Sequence, residues 1–90
     1  MIKQLHVLYS GNVQGVGFRF TCINIARELG VAGWVRNLCA GEVELTAEAE
    51  EVALKDMLAR IKQEFSRYID NADIQWLEPK GEFKDFIVKF

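Results

Sequence analysis

Apolar and polar side chains alternate along the first residues of the chain. Leu5, Val7 and Tyr9 share one parity within residues 3–11, and this alternation predicts a β-strand. The alternation ends at residues 12–17, which hold two glycines and predict a loop. A strand followed directly by a glycine-containing loop is the first feature that bears on function.

Two later segments have the spacing of amphipathic helices. Residues 18–29 predict the first helix, and Gly30 follows it at the position where helix C-termini favour glycine. Residues 50–65 predict the second helix. The apolar positions of the first segment are Cys22, Ile23, Ala26 and Leu29, and those of the second are Leu54, Met57, Leu58, Ile61 and Phe65.

The segment between the two helices has the pattern of a β-hairpin. Residues 31–38 predict one strand, residues 39–41 a short turn, and residues 42–48 a half-buried strand in which apolar and polar residues alternate. Ile74 and Trp76 mark a further strand after the second helix.

The C-terminal part completes the predicted topology. Pro79-Lys80-Gly81 breaks the preceding strand, and residues 83–90 predict a last one. The order is therefore β-α-β-β-α-β with a short extra C-terminal strand. It indicates an α+β fold of two layers, the ferredoxin-like plan, in which two helices cover one face of an antiparallel sheet. We expect residues 1–90 to form a single domain.

Composition narrows the choice of partners. The 90 residues include 11 Lys+Arg and 13 Asp+Glu, which gives a formal net charge of −2. Nucleic-acid-binding domains usually carry a strong basic excess, so we expect no nucleic-acid partner. No apolar run approaches the ~20 residues that span a bilayer, and the N-terminus lacks a secretory signal. We therefore expect a cytoplasmic protein without a membrane partner, whose two cysteines are reduced.

The loop sequence GNVQGVGFR, residues 11–19, has the features of an anion site. Its glycines let the backbone approach a ligand closely, and the unpaired N–H groups at the start of the following helix favour phosphate. Arg19 adds a permanent charge with a fork geometry suited to phosphate oxygens. The alternative interpretation is a tight strand-to-helix turn with a surface arginine, since the loop matches neither a Walker A loop nor a dinucleotide fingerprint.

A second candidate stands at the end of the predicted strand before the hairpin turn. Asn37 lies in the stretch GWVRNLCAGEVE, residues 33–44. A neutral carboxamide both donates and accepts hydrogen bonds, so it can hold and orient a water molecule. The alternative is an asparagine that only closes the hairpin.

Together the two stretches resemble the two signatures of the acylphosphatase family. The glycine loop ends in Phe-Arg, and eighteen residues after the arginine comes the asparagine of a Gly-Trp-Val-x-Asn sequence. The final FIVKF is similar to the closing strand of that family. Two positions depart from the family pattern: Asn12 stands where members often carry a basic residue, and Ala49 where the second signature usually ends in glycine.

The resemblance implies hydrolysis of an acyl phosphate, a small-molecule substrate, to a carboxylate and orthophosphate. Arg19 matches the arginine that binds phosphate, and Asn37 matches the asparagine that positions the attacking water. Backbone N–H groups match the phosphate cradle; they belong to Gln14, Gly15, Val16, Gly17 and Phe18. The family needs no metal or other cofactor. We further expect a monomer and inhibition by inorganic phosphate.

Other functions remain open at this point. A noncatalytic ferredoxin-like module that binds a small ligand or an anion would have the same topology. An acylphosphatase-like part of a larger hydrogenase-maturation protein is a third possibility, although Met1 and the closing strand favour a complete small protein. His6, the one histidine, lies far from both motifs in sequence, so we expect it to be structural. One histidine and two cysteines lack the spacing of a metal site.

Overall fold

The computed structural model describes residues 1–90, which form five strands and two helices. Their bounds are β1 (Ile2–Gly11), α1 (Phe18–Leu29), β2 (Ala32–Asn37), β3 (Val43–Glu50), α2 (Glu51–Glu64), β4 (Ile69–Leu77) and β5 (Phe86–Val88). The order confirms the predicted β-α-β-β-α-β succession followed by one short strand. The first helix has the predicted bounds, and Gly30 caps it in a left-handed conformation.

The five strands form one sheet in the order β4-β1-β3-β2-β5. The first four strands pair antiparallel, as the ferredoxin-like plan predicts. The last strand, β5, pairs parallel with β2, so the complete sheet is mixed. The reason is topological: β4 and β5 lie at opposite edges, and the chain between them returns across the sheet to start beside the first residues of β2.

Both helices pack on one face of this sheet and share one hydrophobic core with it. The predicted strand parity is confirmed, since Leu5, Val7 and Tyr9 are all buried. The fully buried side chains of α2 recur with helical spacing and are Leu54, Met57 and Ile61. Burial of these faces supplies the main stabilisation of the fold.

An aromatic cluster lies at the start of α1. Phe18, the first residue of that helix, is buried and packs edge-on against Tyr9 with ring centroids 5.0 Å apart. On its other side the Phe65 ring lies at 4.6 Å. These contacts fix the helix N-terminus against the sheet, and the glycine loop ends at this fixed point.

The two edge strands differ in extent from the sequence prediction. The strand marked by Ile74 and Trp76 begins already at Ile69, and the last strand covers only Phe86–Val88 rather than residues 83–90. Edge strands bury little of their surface, so their polar and apolar residues follow no strict alternation. Neither helix of the structure is long and apolar enough to cross a membrane.

Candidate active site

The loop between β1 and α1 contains two glycines in left-handed backbone conformation. Gly15 and Gly17 both have φ of 78°. A Cβ atom built on either would meet nothing within 4 Å, so the conformation and not lack of space selects glycine here. Tight turns of this kind bring successive backbone N–H groups to one side and create anion-binding concavities.

The N-terminus of α1 has no side-chain cap. Gly17 is the N-cap residue, and the first helical hydrogen bond runs from the N–H of Thr21 to the carbonyl of Gly17. The N–H groups of residues 18–20 therefore lack a partner inside the helix. No acidic side chain occupies the first turn, so the positive end of the helix dipole is uncompensated and favours an anion.

Arg19 stands in this first turn and forms no salt bridge. Three other arginines each form a salt bridge with a carboxylate, namely Arg27, Arg36 and Arg60. The nearest aromatic contact of Arg19 is the Phe90 ring, whose centroid lies 5.9 Å from the guanidinium carbon. The charge of Arg19 is thus left free for a ligand.

Asn37 is the last residue of β2, where its backbone pairs with Val43 of β3. Its Oδ1 is buried and is the single buried side-chain polar atom without a hydrogen-bond partner. A buried acceptor left unpaired costs about 1–3 kcal/mol. The hairpin turn is closed by backbone hydrogen bonds, from the N–H of Leu38 to the carbonyl of Glu42 and from that of Gly41 to the carbonyl of Leu38. The unpaired Oδ1 of Asn37 does not close the turn and is therefore available to a ligand or a water molecule.

Gln14 connects the glycine loop to the hairpin that carries Asn37. Its Nε2 donates to the carbonyls of Leu38, at 2.7 Å, and Glu42, at 2.9 Å. The sequence predicts only a backbone role for Gln14. It does not indicate these side-chain contacts, because both acceptors are backbone atoms. These two hydrogen bonds, which we call the Gln14 bridge, connect the glycine loop directly to the hairpin turn.

One open pocket of about 290 Å³ brings the candidate residues together. Gly15, Gly17, Arg19 and Asn37 form its polar part, so two side chains eighteen positions apart face the same space. Its apolar lining residues are Val13, Phe18, Phe20, Ile23, Val88 and Phe90. Of the predicted cradle, Gln14 and Val16 do not line this pocket: the Gln14 side chain bonds the hairpin, and Val16 packs against the core.

The remaining reactive side chains lie elsewhere. His6 and Arg36 both contact Glu44, at 2.8 and 2.7 Å. Partial desolvation opposes ionisation of Glu44, but these hydrogen bonds outweigh it and lower the pKa of that carboxyl. No group of three His, Cys, Asp or Glu side chains is arranged to hold a metal ion.

The two thiols are in different environments. Cys22 is buried on α1, as its helical position predicts, and burial raises the pKa of its thiol far above the ordinary value. Cys39 is exposed in the hairpin turn, two residues after Asn37. Neither side chain lines the pocket.

Comparison with known proteins decides the family. The family model described as acylphosphatase matches residues 5–88. The chain belongs to the acylphosphatase family. It is 41% identical over 88 residues to an acylphosphatase of Caldanaerobacter subterraneus subsp. tengcongensis, with 96% of this chain and 97% of that protein covered.

Solved structures agree with this assignment. The crystal structure of acylphosphatase from Bacillus subtilis superposes with a TM-score of 0.90 at 30% identity, over 100% of both chains. HypF from T. kodakarensis gives a TM-score of 0.83 at 29% identity, over 98% of this chain but 12% of that one. The resemblance stated from the two motifs is thus confirmed. Hydrolysis of acyl phosphates is the activity of this acylphosphatase, and the noncatalytic alternative is not favoured.

Proposed function

We propose that the pocket between the glycine loop and Asn37 is where this acylphosphatase cleaves the carboxyl–phosphate bond of its substrate. The observation that carries the proposal is the juxtaposition of an unpaired arginine with an unpaired buried carboxamide oxygen. Arg19 and Asn37 line one pocket, and neither the charge of the first nor the Oδ1 of the second is used by the fold. Groups left unsatisfied by the protein are available to a substrate.

In this proposal the glycine loop binds the phosphate group. The backbone N–H groups of residues 14–18 and the N-terminus of α1 donate to the phosphate oxygens, and Arg19 adds a charged fork. Two left-handed glycines shape the loop, and no acidic side chain in the first helical turn opposes an anion. The same donors stabilise the charge that spreads over the equatorial oxygens in the transition state.

Asn37 positions the attacking water. Its Oδ1 accepts a hydrogen bond from the water and directs the water oxygen toward phosphorus. As the bond from water to phosphorus forms, the bond from phosphorus to the carboxyl oxygen breaks, and the carboxylate leaves with that electron pair. Among the lining side chains only Arg19 is ionisable, so no side chain of the pocket can act as a general base. A phosphate oxygen therefore takes the proton of the water, which yields orthophosphate.

This mechanism uses only groups of the protein and the substrate, as the family resemblance implies, and we propose no cofactor. Because a carboxylate is already a good leaving group, positioning and charge stabilisation carry most of the catalysis. We further propose that residues 1–90 act as one domain and as a monomer in the cytoplasm. One hydrophobic core unites the two helices with the sheet, and both cysteines are free.

A steady-state assay of benzoyl phosphate hydrolysis tests the proposal. We expect turnover that is unchanged by a chelator and is inhibited competitively by inorganic phosphate, which fits the same donors. If a chelator abolishes the activity, the proposed metal-independent mechanism is refuted. Purely noncompetitive inhibition would place the anion outside the pocket. Phosphate binding without hydrolysis of any acyl phosphate would favour the noncatalytic module.

A further inference from the structure

Strand β4 forms a long edge of the sheet whose outer side is free. It covers nine residues, pairs with β1 on one side and has no neighbouring strand on the other. The strand at the opposite edge, β5, covers only three residues. No proline or lysine occurs in β4, so this edge lacks two of the features by which proteins commonly prevent further strands from pairing.

Two hydrogen bonds at the ends of β1 show which way the backbone of β4 points. The carbonyl of Met1 accepts from the N–H of Glu51 on the β3 side, and the N–H of Asn12 donates to the carbonyl of Tyr68 on the β4 side. Because backbone groups alternate along an antiparallel strand, odd-numbered residues of β1 bond to β3 and even-numbered residues bond to β4. The β4 residues opposite odd-numbered positions therefore direct their N–H and C=O groups away from the sheet, and they are Ala72, Ile74 and Trp76.

The same three residues place their side chains on the helix side of the edge, since their partners on β1 belong to the buried core. Helix α2 packs over β3 and β1, so Ile74 and Trp76 stay 42% and 40% exposed. Between α2 and β4 a groove of about 460 Å³ is lined on its apolar side by Leu58, Ala72 and Ile74. An unpaired backbone and an apolar strip thus lie along one edge.

This edge is acidic. Residues 68–79 contain Asp70, Asp73 and Glu78 but no lysine or arginine. None of these three carboxylates forms a salt bridge within the fold. Lys62 of α2 lines the groove together with Asp70, whereas Asp73 lies on the other face of the sheet, opposite Leu8. Asp73 is therefore the free charge within the strand.

The carboxylates disfavour pairing of two copies of this chain along β4. Antiparallel pairing around Ile74 would bring the Asp70 end of each strand against the Glu78 end of the other. Pairing around Asp73 would place the two Asp73 side chains opposite each other. Like charges directly opposite in a sheet are destabilising, whereas the same carboxylates attract a strand that carries lysine or arginine.

We propose that the outer edge of β4 is a docking surface for an extended basic segment of another protein, which adds a sixth strand to the sheet. Its apolar side chains cover Ile74 and Trp76, and its lysine or arginine side chains lie beside Asp73. Main-chain hydrogen bonds give such strand additions their affinity, and alternating side chains give specificity. The pocket of Arg19 and Asn37 stays open, because β5 borders it at the opposite edge of the sheet.

The test uses a synthetic nine-residue peptide in which valine and lysine alternate, and measures its binding to the full chain by fluorescence anisotropy. We expect saturable one-to-one binding that weakens as salt is added. A peptide with glutamate in place of lysine should bind at least roughly tenfold more weakly. Hydrogen exchange of the amides of Ala72, Ile74 and Trp76 should slow in the complex, because the added strand accepts their hydrogen bonds.

Two variants separate the backbone from the charge. Ile74→Pro removes an N–H that points outward, so it should leave the pairing with β1 intact and raise the Kd by roughly five- to tenfold. Asp73→Lys should raise the Kd by roughly threefold or more at low salt. Glu28→Lys is the matched control, since it makes the same charge change on an exposed side chain of α1. It should change the Kd much less.

Thermal unfolding shows whether each variant is folded, and if Ile74→Pro is not, Asp73→Lys and hydrogen exchange decide. Absence of saturable binding to the wild type would overturn the proposal. So would a Kd that Asp73→Lys changes no more than Glu28→Lys does, or amides at the β4 edge that exchange equally fast with and without peptide. A wild-type dimer in sedimentation that Asp73→Lys dissociates would assign the edge to a second copy and overturn the proposal as well.

Discussion

The side-chain amide of Gln14 donates to the carbonyl of Leu38 over 2.7 Å and so ties the glycine loop to the hairpin. Its second hydrogen bond is donated to the carbonyl of Glu42, at the opposite end of the same turn. Asn37 directly precedes the bridged turn. One carboxamide therefore links the proposed phosphate loop to the hairpin that carries the proposed water site.

Replacing Gln14 by alanine should separate positioning from phosphate binding. Loss of two hydrogen bonds should lower the free energy of unfolding by about 1–3 kcal/mol. Because small displacements of catalytic groups are costly, kcat should fall by roughly 10–100-fold. The inhibition constant of inorganic phosphate should rise much less, since the loop and Arg19 remain. Steady-state kinetics and thermal unfolding measure these three quantities.

Gln14→Glu is the matched variant. It keeps the size of the side chain but replaces two donors with a carboxylate that faces two carbonyl oxygens, so it should be more damaging than alanine. If Gln14→Ala loses stability while kcat stays at the wild-type value, the bridge has only a structural role.

The sequence predicts best those helices and strands that bury one regular face. Strand β1 and helix α1 agree with their predicted bounds to within one residue, because Tyr9 and Cys22 belong to periodic runs in the core. The start of β4 at Ile69 is not predictable in this way, because seven of its nine residues are exposed at a sheet edge. The parallel pairing of β5 depends on the path of residues 78–85, for which the sequence offers no periodic signal.

The candidate site was predictable only as far as it depends on local chemistry. Glycines before a helix and the charge of Arg19 indicate an anion site from sequence. The bridge from Gln14 and the unpartnered Oδ1 of Asn37 depend on contacts between distant segments, so they appear only in the folded chain. The same is true of Phe90, which reaches the pocket through the register of β5.

Two glycines at the ends of α1 offer a controlled test of the loop. Gly17 and Gly30 have φ of 78° and 69°, and a Cβ on either meets nothing within 4 Å. Alanine at either position should therefore cost a similar strain of about 1–2 kcal/mol. Only Gly17→Ala distorts the loop, so it alone should weaken phosphate binding, by about tenfold. Calorimetric titration with phosphate measures this, and equal weakening in Gly30→Ala would contradict a specific role of the loop.

Acid should destabilise the protein partly through Glu48. This buried carboxylate on β3 accepts hydrogen bonds from the N–H groups of Lys80 and Gly81 and from the side chain of Gln4. Burial opposes its ionisation, but these bonds and the Lys80 charge outweigh burial and hold its pKa below the ordinary 4.5. The stabilisation is therefore fully present above pH 4.5 and is lost as the pH falls through the lowered pKa.

Glu48→Gln is the variant that tests this linkage. It should lower the free energy of unfolding at neutral pH by about 1–3 kcal/mol, because the amide offers one acceptor where the carboxylate offered two. Its stability should also fall less steeply with acid than that of the wild type, although Glu44 retains its own contribution. Denaturant unfolding between pH 3 and pH 7 measures both effects. Parallel pH curves for the variant and the wild type would show that Glu48 contributes nothing to acid sensitivity.

Substitutions of Arg19 and of Asn37 should have different effects on kcat and on phosphate affinity. In the proposed mechanism Arg19 binds phosphate in the ground state and stabilises its charge in the transition state. Arg19→Ala should therefore weaken phosphate affinity and lower kcat by ~10³-fold. Arg19→Lys should rescue poorly, because it keeps the charge but loses the fork. Asn37→Ala should lower kcat by ~10²–10³-fold while the inhibition constant of phosphate stays near the wild-type value, because the proposed role of Asn37 is to position the water alone. Since its Oδ1 has no partner in the fold, Asn37→Ala should also unfold no earlier than the wild type, which thermal denaturation checks. A folded Asn37→Ala protein that loses phosphate affinity as severely as Arg19→Ala would refute this division of roles.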